Sequence, residues 1–337
     1  MKKKVVILAN VGTPNSPEKF DVARYLLEFL GDGRVIDYPW LFRKLLVNCI
    51  IVPFRMAKSS NLYKRLWDDK GSPLLYHTIS LQEKLSALLG DEFDIFVGMR
   101  YGQPSLTELL RSDKIAEYSE LIFIPLFPQY ASSTTGTVVE LIYEEMRKKN
   151  VIQNVRIIGQ FYAHPEFLDC FADNILKFDV GSYDFVMFTY HGLPVSHIDS
   201  VHPKVEYSAC NCMNEFPEHG SYCYKATCYE TTRLLTAKLN LDKSKVVTSF
   251  QSRLTKNWVR PFSDEVIIDY AKKGKKRGLI IAPSFTIDCL ETIIELQADY
   301  AELFKQNGGE QLDMVPSLND SDKFSDFLKQ KVLNQLR

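Results

Sequence analysis

The 337-residue chain has no unbroken apolar run approaching the roughly 20 residues that a membrane-crossing helix needs. It has almost no net charge: 41 Lys and Arg against 42 Asp and Glu give −1 at pH 7, so no electrostatic case exists for nucleic acid as a partner. It has no low-complexity tail and no repeat in its letters. Residues 1–8 begin with lysines and turn apolar, but the apolar part is short and no cleavage pattern follows, so a first β-strand is expected rather than a leader. The expected location is cytoplasmic. What remains is an ordinary globular composition, 45% hydrophobic and 25% charged, at a length that suggests about two domains.

Apolar strand-like runs recur at residues 5–9, 95–99, 121–126, 155–160, 185–190, 246–250, 278–282 and 311–315. Amphipathic stretches separate most of them, at residues 80–89, 105–116, 137–148, 165–176, 225–239, 263–273 and 288–305. Alternating strands and helices, with strands apolar on both faces, predict parallel sheets covered by helices. The expected fold class is α/β: two similar Rossmann-like domains, each with a four-stranded parallel sheet, at residues 1–160 and 161–317. The last helix, 321–336, is a candidate to cross back onto the first domain.

Two sites of chemistry stand out. The run ending in Thr189-Tyr190-His191-Gly192-Leu193-Pro194 delivers a histidine to the C-terminal end of a strand, the edge where open parallel sheets bind ligands. Taken alone, His191 is equally well a core or turn histidine. Asp288, Glu291 and Glu295 are spaced i, i+3, i+7 after another strand, which on an α-helix places three carboxylates on one face, and Asp299 extends the row. A solvated helix side is the plainer alternative. A histidine and a glutamate facing one another can bind a divalent metal or relay protons.

Six motifs then occur in one order: Asn10-Val11-Gly12-Thr13-Pro14, Gly98-Met99-Arg100-Tyr101, residues 128–136 (PQYASSTTG), Tyr190–Pro194, Ser249-Phe250-Gln251-Ser252-Arg253 followed by Trp258, and Asp288-Cys289-Leu290-Glu291-Thr292. In this the chain resembles ferrochelatases from about residue 4 to about residue 325. The resemblance implies a chelatase-like fold and insertion of Fe(II) into protoporphyrin IX to form haem. It implies His191 as the group that binds metal or accepts pyrrole protons, Glu291 as its facing partner, and Asp288 and Glu295 as an acidic row passing metal or protons. It implies Arg100, Tyr101, Tyr130, Ser133, Asn10, Val11 and Trp258 as residues near the porphyrin. Fe(II) is then substrate, and no nucleotide cofactor is called for. Coproporphyrin III is the alternative substrate, and a non-catalytic haem or tetrapyrrole carrier is the rival from another class; the oligomeric state is open.

The chemistry suits these residues without the name. Metal insertion removes two pyrrole protons and bends the ring; a neutral imidazole can take a proton, and carboxylates can strip water from Fe(II). Residues 132–136 precede an expected helix start near Thr137, where amides and hydroxyls favour anions such as propionates, ordinary capping being the plainer alternative. Residues 38–66 are aromatic and fringed by Arg43, Lys44, Arg55, Lys58, Lys64 and Arg65. They are a candidate apolar lip, with Leu41, Phe42, Leu45 and Ile50 as walls, or a peripheral membrane contact; a buried helix pair is the alternative.

Cysteine is sparse except in one place. Cys49, Cys170 and Cys289 are scattered, but Cys210, Cys212, Cys223 and Cys228 fall within residues 205–230. Four close thiolates suit an iron–sulfur cluster or structural zinc, and free thiols remain an alternative. Four thiolates leave no open coordination position, which argues against a zinc hydrolase. Some bacterial ferrochelatases carry a [2Fe–2S] cluster in an insertion at this place. The pattern here departs from theirs: an upstream cysteine is absent and Asn211 separates a pair that is adjacent there. Cys228 also sits where family members without an internal cluster can have cysteine, so His219 competes with it as fourth ligand.

Overall fold

The computed structural model describes residues 4–202 and 205–336. The reading of residues 1–3 as lead-in to a strand lies outside them. All eight expected strands form: β1 (Lys4–Thr13), β2 (Phe93–Gly102), β3 (Glu120–Pro125), β4 (Asn154–Ile157), β5 (Phe185–His191), β6 (Val246–Gln251), β7 (Arg277–Ile281) and β8 (Gln311–Met314). They build two four-stranded sheets, ordered β2-β1-β3-β4 and β6-β5-β7-β8, with every pairing parallel. The second order is the first shifted by four, so the symmetry invisible in the letters is present in the topology. β4 and β8 end early: Gln160 lies beyond its strand, and after the Ile158 N–H bonds the Phe123 carbonyl at 2.8 Å the chain leaves the sheet.

Two compact units follow. The first comprises the described residues up to Phe127, Ala131–Gly159 and the chain from Asn319 onward. The second comprises Pro128–Tyr130 and Gln160–Leu318. In the first, alternate residues Val5, Ile7 and Ala9 of β1, with Leu121 and Phe123 of β3, meet Leu106, Leu110, Val138, Leu141 and Ile142 from helices. The helix Pro73–Leu89 packs on β1 and β2, and the final helix Asp322–Asn334 packs on it, with Lys84 reaching Asp322 at 2.8 Å. In the second unit Phe185, Met187 and Ile280 meet Ile267, Leu296, Tyr300 and Phe304. Gly278 is what lets these strands close: a Cβ there would lie 2.3 Å from the Phe185 ring.

Residues 40–66 form one helical run in which Trp40–Leu45 and Val52–Leu66 are α-helical and Leu46–Ile51 is a π-helix. Pro53 supplies the physical reason, because it can donate no bond to Cys49 and its ring crowds that carbonyl, so the preceding turn widens. Only part of this run is buried: Val47 and Val52 pack on Leu30, while Trp40, Leu41, Phe42, Leu45, Ile50 and Phe54 are exposed. The fully buried helix pair is therefore not what forms.

Candidate active site

His191 is the last residue of β5, paired with Gln251 at the end of β6. Its Nδ1 lies 2.7 Å from the carbonyl of Gly192. A carbonyl can only accept, so Nδ1 carries the proton and a neutral ring presents Nε2 as a lone pair. Gly192 is held by its own N–H to the Gln251 carbonyl at 2.7 Å, and a Cβ there would strike both that carbonyl and the Trp258 ring. Trp258 sits 6.3 Å from the His191 ring, centroid to centroid.

The acidic helix differs from the sequence expectation in register. Glu291–Asp299 is a nine-residue π-helix, with the N–H of Tyr300 bonded to the Glu295 carbonyl, and it passes into the α-helix Tyr300–Gln306. Asp288 lies before this helix and accepts the Ser317 N–H at 3.3 Å, so the expected α-helical face with Asp288, Glu291 and Glu295 aligned does not exist. Glu291 opens the π-helix, Glu295 follows one turn on, and Asp299 is exposed. Leu296 and Ile294 anchor the helix in the core, which leaves Glu291 and Glu295 half-buried.

Glu295 is the best-determined charge here. Its carboxylate accepts the Ser252 N–H at 3.1 Å, the Ser252 hydroxyl at 2.5 Å and the Tyr300 hydroxyl at 3.2 Å. Burial pushes its pKa up, Ser252 pulls it down, the Glu291 charge pushes it up and His191 pulls it down. His191, Glu291 and Glu295 therefore share one electrostatic neighbourhood. Ser252, which the sequence flagged only as part of a motif, follows β6 with φ +60°, a left-handed conformation uncommon outside glycine.

The other expected residues are placed unit by unit. In the first, Asn10 is buried near the end of β1, its side-chain oxygen accepting the Val11 N–H at 2.8 Å. Arg100 pairs with Asp32 at 2.5 Å, and Tyr101 donates to the same carboxylate at 2.9 Å. Tyr101 is 2% exposed, so it braces Arg100 from inside and offers no ring face to a ligand, contrary to expectation. Ser133 belongs to a π-helical turn, Ser132–Gly136, in which the Thr134 and Gly136 amides both bond the Ala131 carbonyl. The helix thus starts at Ser132 rather than near Thr137, and the Thr137 amide is no longer a terminal one. In the second unit Tyr130 packs edge-on against Tyr222, 5.4 Å between centroids.

The cysteine segment does not present the expected four-thiolate cage. The Cys212 thiol lies beside those of Cys210 and Cys223, and Cys223, capping the helix Tyr224–Lys238, accepts the Ala226 N–H at 3.4 Å. Cys228 is carried inward by that helix, fully buried, with its thiol against the Tyr224 hydroxyl. Cys210 also has His219 Nε2 at 3.5 Å and a ring nitrogen of His202 within 4.8 Å. No step of the reaction is therefore derived through an iron–sulfur cluster.

Comparisons with known proteins identify the family. The family model described as Ferrochelatase matches residues 3–336. A ferrochelatase of Coxiella burnetii is 39% identical over 322 residues, spanning 93% of this chain and 88% of that one. One from Legionella pneumophila is 39% identical over 324 residues, spanning 94% and 95%. The chain belongs to the ferrochelatase family. It is thus an enzyme of haem biosynthesis that inserts metal into a porphyrin, with ferrous iron as substrate. In fold it is similar to SirB from Bacillus subtilis, solved with Fe3+, at a TM-score of 0.55 and 10% identity over 98% of this chain and 95% of that one. It is also similar to CbiX, described as the terminal enzyme of sirohaem biosynthesis in denitrifying bacteria, at 0.50 and 12% over 99% and 100%. Those likenesses speak to the chelatase fold alone. Among the described residues, no helix is long and apolar enough to cross a membrane.

Proposed function

We propose that this enzyme inserts Fe(II) into protoporphyrin IX, with His191 accepting pyrrole protons and Glu291 and Glu295 dehydrating the metal and carrying charge away. The observation that carries the reading is the fixed tautomer of His191: Nδ1–H is spent on the Gly192 carbonyl, which leaves a basic Nε2 in the electrostatic neighbourhood of two carboxylates. A neutral base and an acidic relay on separate elements are what removing two protons while delivering a dication requires. Burial of Glu295 supports the relay, because a raised pKa lets a carboxyl hold and release a proton nearer neutrality. The same proposal gives porphyrin contacts to Trp258 and Tyr130 in the second unit and to Asn10, Val11, Arg100 and Ser133 in the first. Asp288, bonded to Ser317, holds the approach to the π-helix rather than passing metal.

The test is metalloporphyrin formation from Fe(II) and free porphyrin, with protoporphyrin IX and coproporphyrin III run in parallel. The proposal expects higher kcat/KM with protoporphyrin IX and a loss of about 10²–10⁴-fold in kcat for His191→Ala and Glu291→Ala. Preference for coproporphyrin III would overturn the substrate assignment; full turnover by both variants would overturn the site.

The proposal further takes the enzyme to work in the cytoplasm at a lipid surface, touching it through residues 38–66. The exposed apolar row supports this, as does Lys44, whose ammonium lies over the Trp40 ring. Arg43 is not part of a lipid-facing fringe, since it donates to the carbonyls of Gly31 and Tyr38.

A further inference from the structure

The sequence reading gave the inserted segment four cysteine ligands with His219 as a competitor, and did not include His202. Among the described residues, the one group of three metal-capable donors that converges is His202, Cys210 and His219, whose donor atoms all lie within 4.8 Å of one another. The Cys210 sulfur is 3.5 Å from His219 Nε2, and the two imidazole rings lie 4.8 Å apart, centroid to centroid.

A second observation points the same way. His202 is 5% exposed, and neither of its ring nitrogens meets a partner at full hydrogen-bond geometry, although the Val205 backbone lies close enough to act on the ring. Leaving a buried imidazole unsatisfied is costly, and a ligand in reach of the ring would relieve that cost. The segment also lacks regular structure of its own: two short 3-10 turns, Tyr207–Ala209 and Glu218–Tyr222, are joined by loop. A stretch with so little hydrogen-bonded scaffold is the kind that a metal holds together.

The geometry points to a structural site for one zinc-class divalent ion, held tetrahedrally by His202, Cys210 and His219 with Cys212 as fourth ligand. Bonds of about 2.0–2.3 Å place the donors of such a site roughly 3.5 Å apart, so His202, Cys210 and His219, within 4.8 Å of one another, close by about 1.3 Å at most, while Cys212 turns in from beside Cys210. A two-iron cluster divides its four outer ligands between two metals. Here three donors converge on one point, two of them nitrogen, which fits a single borderline ion better than a sulfide-bridged pair. Cys212 completes the set by its place beside Cys210, while Cys228, engaged by Tyr224, stays outside it. The ion would be structural, since four protein donors leave no open position for substrate.

The test uses the full-length protein in a His191→Ala background, which limits metal held at the active site. After exposure to Zn(II) and removal of weakly held metal, we expect about one zinc per chain, no acid-labile sulfide and no visible absorption. His202→Ala and His219→Ala should each lower retained zinc at least tenfold, while Cys228→Ser and Cys49→Ser retain it. X-ray absorption at the zinc edge of the protein with the segment intact should count two nitrogen and two sulfur donors, and it decides the matter even if the histidine variants fail to fold. Iron with sulfide, a metal-free protein, four sulfur donors, or undiminished zinc in both histidine variants would each overturn the proposal.

Discussion

Ser252 gives both of its hydrogen-bond donors to the Glu295 carboxylate, its N–H to Oε1 and its hydroxyl to Oε2. It does so from a left-handed backbone that glycine would adopt without strain. The arrangement restrains a carboxyl that burial alone drives upward. Removing the hydroxyl in Ser252→Ala leaves burial and the Glu291 charge less opposed, so the Glu295 pKa rises further. An acid with a higher pKa stays protonated to higher pH; the acidic limb of the kcat/KM profile should therefore move to higher pH. A limb that stays in place while the rate drops equally at every pH would show that Ser252 acts only on packing.

Gly192 is required by space rather than by φ. Its absent Cβ would lie 2.7 Å from the Gln251 carbonyl and 3.1 Å from the Trp258 ring. Gly192→Ala must push the turn away from β6, and with it the carbonyl that fixes the His191 tautomer. A displacement near 1 Å costs on the order of 10²-fold in rate. Steady-state assays should find that loss mainly in kcat. A change confined to thermal stability, with kcat intact, would contradict the role given to the Gly192 carbonyl.

The strands were legible because β1 and β5 are apolar on both faces, and a doubly covered strand writes itself as a continuous run. His191 was legible as a strand-end histidine for the same reason. The π-helix was not, since the spacing of Asp288, Glu291 and Glu295 fits an α-helical face, and the wider turn depends on tertiary anchoring of Leu296 and Tyr300 in the core. Tyr101 was read as a ligand contact, but its burial and the tie that it and Arg100 make to Asp32 come from a residue 69 and 68 positions earlier, which no local pattern reveals. His202 was missed because a histidine eight residues ahead of a cysteine matches no familiar ligand spacing.

Acid should loosen the first unit through Glu145. This carboxylate, 4% exposed, accepts from Arg111 Nη2 at 2.8 Å and Nε at 2.9 Å and from Lys148 at 2.6 Å. Arg111 foremost holds its pKa down at about 2, against an ordinary value of 4.5. A depressed folded-state pKa means stability that is present above pH 4.5 and is lost as pH falls toward 2. Arg111→Met should be markedly less stable than the parent at neutral pH in denaturant titrations, and the gap should narrow across that window. A gap constant with pH would mean that Arg111 contributes packing rather than charge.

The apolar row on residues 40–54 makes a prediction separable from catalysis. Phe42 and Leu45 are each 55% exposed, one turn apart on the helix, and neither supports the core that Val47 and Val52 form with Leu30. Seating an apolar side chain of this size in lipid is worth about 1.5–3 kcal/mol. Phe42→Ser with Leu45→Ser should thus weaken partition to vesicles by on the order of 10²-fold or more, each 1.4 kcal/mol being about tenfold. Lys44 and the other exposed cations add a preference for anionic lipid that salt would screen. Co-sedimentation with phosphatidylserine vesicles at low and high salt, alongside turnover of a porphyrin dissolved in detergent, divides the outcomes. Lost sedimentation with retained turnover supports a lipid-facing surface. Lost turnover with unchanged sedimentation would place these side chains against the porphyrin instead, as the apolar lip that their exposure equally suits.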